Sequence, residues 1–150
     1  MDRYRDGLGW VGKWHISFAG QKVSVFNKIT DAGLNWFLDL WRGVGEPGFK
    51  FIALGTADTP VQYSDTRLGA EQIRKPIAKF EKASPILLSE VTFLDTEANF
   101  TIKEIGLFAG AEATLEPNTG ILVARSVVSI DKTSVGSLKI KREDRIGRGN

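Results

Sequence analysis

The chain has 150 residues, enough for one domain that buries its own core without staples. It contains no cysteine, which excludes disulfides, thiolate catalysis and cysteine-ligated metal sites, and its net charge of +2 is too small to imply a nucleic-acid partner. The apolar share of 42% and charged share of 25% are ordinary globular values, and the single histidine, His15, leaves no histidine cluster for a metal.

In chain order, residues 1–12 are glycine-rich and polar with isolated aromatics, Tyr4 and Trp10, and read as an N-terminal arm. They lack the continuous apolar run of a secretory signal. Lys13 to Phe18 alternates, with Trp14, Ile16 and Phe18 on one face and Lys13, His15 and Ser17 on the other. Ala19, Gly20 and Gln21 signal a turn, and Lys22 to Phe26 alternates again, so the two runs predict a β-hairpin. Thr30 then begins the one convincing helix. Its hydroxyl suits an N-cap and Asp31 suits the positive helix end. Leu34, Phe37, Leu38 and Trp41 recur at helical spacing, Trp36 and Leu40 widen the stripe, and the helix is expected to lie deep against a sheet. The stretch 34–41 is interrupted by Asp39 and is too short to span a bilayer, so no membrane partner is expected. Breakers from Gly43 to Gly48 end the helix.

From Phe49 onward the pattern is β. Phe49 to Leu54 predicts a strand, and 55–63 a loop. Ser64 or Asp65 is placed to cap a short helical turn running to Ile73, and Pro76 puts the run Ile77 to Lys82 at a sheet edge or after a kink. Strands follow over 86–94, 100–108 and 121–130, and in a last segment where Leu138 and Ile140 point inward between Lys139 and Lys141. About eight strands and one main helix, with turns every ~8–12 residues, predict a mainly β fold, an antiparallel β-sandwich with the helix packed on it. The domain is expected over 13–146, with residues 147–150 as a loose tail.

Catalytic signatures are weak. No Gly-x-Ser-x-Gly motif is present, His15 is the only imidazole available as a base, and Gly55 to Thr59 lacks the Gly-Lys-Ser/Thr ending of a phosphate cradle. The acids with apolar neighbours, Glu71, Glu90 and Glu104, are candidates for a hydrolase pair. Local pairing of Glu71 with Arg74, and burial of Glu104 against Arg125 or Arg74, are the simpler expectation. No enzyme activity, metal or cofactor is therefore expected. Basic residues concentrate at the ends: 1–28 hold five Lys/Arg against two acids, and 139–150 hold five (Lys139, Lys141, Arg142, Arg145, Arg148) against two. Tyr4, Trp10, Lys139, Lys141, Arg142 and Arg145 are the candidate interface residues for contacts between copies, basic end to acidic body. Residues 139–145 carry no aromatic platform for nucleic acid, so that partner is not expected.

One order of motifs stands out. Phe49 to Pro60 is a strand ending in a Gly-Thr loop, with Gly55, Thr56, Thr59 and Pro60. Asp65, Thr66 and Leu68 follow, then Glu104, Gly106, Leu107 and Phe108, then Leu122, Ala124 and Arg125. Asn27 to Leu34 precedes them as an Asn-x-Ile-Thr-x-Ala-Gly-Leu segment. This order resembles a group of small structural proteins of tailed bacteriophages and prophages, over about two thirds of the chain. The chain departs from that pattern at Ala57, where glycine is commoner, and in its Trp-rich start. The resemblance implies a virion component of the tail, neck or fibre-attachment region. It would be assembled in the host cytoplasm as a ring or trimer with other virion proteins. Gly55, Asp65, Leu68, Glu104, Gly106, Phe108 and Arg125 would then be scaffold positions. A capsid decoration or head-fibre base, and a carbohydrate-binding host-attachment module, are the alternatives.

Overall fold

A computed structural model describes residues 7–148. Ten strands and one helix follow in the order β1 (Leu8–Phe18), β2 (Gln21–Phe26), β3 (Lys28–Ile29), α1 (Asp31–Trp41), β4 (Phe49–Gly55), β5 (Glu71–Pro76), β6 (Lys79–Ala83), β7 (Ile86–Phe93), β8 (Thr101–Ala109), β9 (Ile121–Asp131) and β10 (Leu138–Arg148). They form two antiparallel five-stranded sheets, β2-β1-β10-β7-β6 and β3-β9-β8-β4-β5. The expected antiparallel sandwich with one helix is what the chain forms. The core lies between the sheets. Trp14, Ile16, Phe93, Leu138 and Ile140 of the first sheet meet Ile52, Leu54, Ile105, Leu107 and Val123 of the second. The alternation that predicted the β1–β2 hairpin sets this register, with Ile16 opposite Val23 on one side and Ile140 on the other.

The chain passes from one sheet to the other at Asn27, whose N–H still bonds Gly12 while the next two residues pair with β9. Thr30 then caps α1, its hydroxyl oxygen accepting from the Gly33 N–H at 2.9 Å. The same hydroxyl donates to the Leu122 carbonyl, and the Thr30 N–H donates to Val123. The helix is thus sewn to β9 at its first turn. Gly33 faces that strand so closely that an added Cβ would sit 2.6 Å from the Val123 carbonyl oxygen.

This contact decides which helix face is buried, and it corrects the expected stripe. Gly33 and Trp36 are buried, with Phe37 and Leu40 partly so, while Leu34, Leu38 and Trp41 face outward. Two apolar stripes share this helix, and the glycine selects the one that can approach a backbone. Further corrections concern the ends. Leu8 to Gly12 are not an arm: they pair with Arg148 to Asp144 as the first half of β1, and β10 runs through Gly147 and Arg148 rather than ending at 146. Nor is the basic C-terminal segment a free end, because β10 is the central strand of its sheet. Tyr4 lies outside the described residues. The 64–73 turn is not helical. Asp65 instead accepts from the Gln62 N–H at 3.0 Å, and β5 begins at Glu71. The expected edge position after Pro76 holds, since β6 is an edge strand. Among the described residues no helix is long and apolar enough to cross a membrane.

Replacing Gly33 with Ala raises intrinsic helix propensity by ~1 kcal/mol. Here it should nevertheless destabilise the fold by about 1–3 kcal/mol, because the methyl overpacks against the β9 backbone. Urea unfolding of Gly33→Ala checks the sign.

Candidate functional site

The motif positions converge on the outer face of the second sheet. On β8, Glu104, Gly106 and Phe108 alternate outward. They stand opposite Gly55, Ala53 and Phe51 of β4. Glu104 is fully buried, and its carboxylate accepts four bonds: from Arg125 Nε at 2.9 Å and from the backbone N–H groups of Ala57, Gly69 and Ala70 at 3.0, 2.8 and 2.8 Å. Arg125 spends its remaining donors on the Thr59 carbonyl at 3.0 Å, the Thr59 hydroxyl at 3.3 Å and Asp65 Oδ2 at 3.3 Å. One ion pair therefore pins the whole 56–70 loop to the sheet.

The glycines follow from that pairing. A Cβ on Gly55 would overlap the Glu104 carboxylate and lie 2.6 Å from the Ala70 carbonyl oxygen, and one on Gly106 would lie 2.8 Å from Leu68. Leu68 is thus seated over a bare stretch of β8, in a second apolar cluster with Phe51, Phe108 and Leu122. All seven scaffold positions named from the sequence take part in this one assembly.

A second knot lies beside it. Arg74 and Glu71 form a buried bidentate pair at 2.6 and 2.8 Å. They sit on β5, not a helix, and the register shift at Leu54/Gly55 places an extra residue, Gln72, between them so that both turn to one side. Arg74 also donates to the Thr114 and Thr119 carbonyls at 3.0 and 2.9 Å and stacks over Phe108, holding the 110–120 loop. Glu90, the third acid singled out, is partly exposed and bonded to Lys139 at 2.9 Å, and this partner, outweighing the cost of partial burial, holds its carboxyl below the ordinary range.

The candidate interface residues separate. Lys139, Lys141 and Arg145 project from the outer face of the first sheet. Arg142 does not: it is fully buried, bonded to Asp144 at 2.8 Å and to Asn27, and lies over Trp14. Strand alternation places 139, 141, 143 and 145 outward, so 142 must point in, and Gly12 leaves the space its guanidinium fills. Trp10 is half-buried on this same knot. Its Nε1 donates to Asp144 at 2.9 Å and its ring packs on Phe37 and Phe49, so its first partners are intramolecular. His15 bonds Ser24 and Glu143 on the polar face, as its strand position implies.

Two apolar hollows flank α1, and the sequence reading identified neither. One, of about 400 Å³, lies under the helix between Trp36, Phe49, Leu87 and Ile146, with Asp144 in its wall. The other, of about 530 Å³, lies on the outer side and is lined by Leu8, Val11, Leu34, Trp41 and Tyr63. The signal that points to them is Gly33, which fixes the helix rotation. Among the described residues no group of three or more His, Asp or Glu is placed to hold a metal ion.

Two outcomes follow. Glu104→Gln leaves Arg125 buried with its main charge partner gone and should cost about 3–5 kcal/mol in urea unfolding. The Glu97 carboxyl is held below its ordinary value of 4.5, first by the Lys75 ammonium and then by the Leu94 N–H. A depressed carboxyl stabilises the fold above its unfolded value and loses that stabilisation as pH falls through the folded value. Glu97→Gln should therefore flatten the fall in Tm between pH 6 and pH 3, with the largest difference from the parent at neutral pH.

No family model, no curated protein and no solved structure matches this chain.

Proposed function

We propose that this chain is a structural component of a tailed-bacteriophage particle, in the tail, neck or fibre-attachment region. It acts by assembling with copies of itself and with other particle proteins. The observation that carries the assembly reading is the outward stripe of α1, where Leu34, Leu38 and Trp41 are 45%, 56% and 65% exposed on a helix whose other face is already packed. Leu34 and Trp41 also line one apolar hollow with Leu8, Val11 and Tyr63, so the stripe adjoins further exposed apolar surface, and such surfaces mark contact sites. The phage assignment rests on the motif order described above. It is supported by the way those residues work together: Gly55, Asp65, Leu68, Glu104, Gly106, Phe108 and Arg125 build one rigid scaffold knot. The acids considered for hydrolysis are engaged in ion pairs, which favours a scaffold over turnover.

The test is location. Antibody against the chain should label purified phage particles at a fixed position on the tail or neck, and the chain should co-purify with them through a density gradient. Recovery only from the soluble host fraction, with unlabelled particles, would sink the proposal.

A further inference from the structure

Resting on the assembly reading, we infer that the outer face of α1 is a twofold contact, on which a second copy of this chain lays its own α1 antiparallel. The spacing comes first. Leu34, Leu38 and Trp41 are separated by four and then three residues, the seam of a helix that packs against another helix. All three are exposed, and Trp41 already packs, tilted, against Phe37 with ring centroids 5.2 Å apart.

Charge then fixes the direction. Asp31 opens the helix and Arg42 follows its last residue; about three turns apart (~3.6 residues each), both exposed, they lie along one flank of that seam, and Arg42, whose Nε bonds Asp39 of its own helix at 2.9 Å, keeps its terminal guanidinium N–H groups for a second carboxylate. A twofold axis between Phe37 and Leu38 sets Leu34 level with the partner's Trp41 and brings each Asp31 within about two residues' rise, ~3 Å, of the Arg42 of the other copy. It also sets the two helix dipoles antiparallel. A parallel arrangement, as at the centre of a threefold ring, places Asp31 beside Asp31 and aligns the dipoles, which is unfavourable on both counts. Size requires more than the helix, since a helix of this length spans only ~16 Å and a stable interface covers about 800 Å² per partner. The adjoining outer hollow, which Leu34 and Trp41 line together with Leu8, Val11 and Tyr63, extends the apolar surface past the helix.

The experiment is light scattering and sedimentation of the full chain, with circular dichroism as the folding control. The parent should be a dimer. Leu38→Glu should be a folded monomer. Asp31→Arg and Arg42→Asp should each weaken association roughly tenfold, and the double reversal should restore it. A monomeric parent, or a double reversal no tighter than its singles, overturns the antiparallel contact. If a monomeric parent is still found in particles, the twofold contact falls while the virion reading stands. A dimer that particles never contain keeps the contact and overturns that reading instead.

Discussion

Glu104 and Arg125 both lose their water when the 56–70 loop folds over the outer face of the second sheet, and the rest of that face is arranged around making the loss tolerable. Taking two such charges out of water costs several kcal/mol per ion, recovered only when geometry and further hydrogen bonds are good. Here the carboxylate accepts from Arg125 and three backbone N–H groups, and the guanidinium reaches two groups on Thr59 besides Asp65. Those N–H groups belong to a loop without regular structure of its own. Without the carboxylate they would need another partner, because buried amides left unpaired are expensive. The pair therefore specifies the loop's path more than it adds to net stability.

The same device recurs. Arg74 with Glu71 and Arg142 with Asp144 are also buried pairs, and each guanidinium lies over an aromatic ring, Phe108 at 4.2 Å and Trp14 at 4.7 Å. Arginine suits this role because its planar fork satisfies a carboxylate and backbone carbonyls at once while its face packs on rings. Each pair fastens something the sheets alone do not hold: the 56–70 loop, the 110–120 loop, and the corner where Gly12, Asn27 and Trp10 meet.

The sheets were legible because strand alternation is a local code. Trp14, Ile16 and Phe18 declare their face without reference to anything distant, and so do Leu138 and Ile140. Failures came where a local pattern had two solutions. The helix carries apolar residues at 33-36-37-40 and at 34-37-38-41, and only the contact of Gly33 with Val123 chooses between them. Arg142 reads as surface charge until the parity of β10 is followed through it, since the space that admits it is made by Gly12, far away in sequence. Residues 8–12 hide as a strand because Gly9 and Gly12 contribute no alternation. The Ser64 to Ile73 stretch has capping residues, yet its amides are drawn out of a helical path by Glu104, some thirty-five positions on. Among the site residues, Glu104 with Arg125 was foreseeable from the cost of an unpaired buried acid.

The rotation of α1 links these loops and pairs to the surface. Capping by Thr30 and the close approach of Gly33 lock the helix so that Trp36 enters the sandwich end, where its Nε1 donates to the Glu46 carbonyl at 3.1 Å. Leu34, Leu38 and Trp41 are thereby held outward on a rigid element, and Asp31 is tied to the 56–70 loop through the Tyr63 carbonyl at 2.8 Å. Association normally costs freedom in the side chains and loops that must be ordered at the contact. Here most such ordering is already complete in the single chain: the helix is capped, Tyr63 sits in a loop fixed by Arg125, and Trp41 rests on Phe37. An apolar surface built on such a support leaves little to immobilise, which is the physical property that the proposed contact between copies draws on.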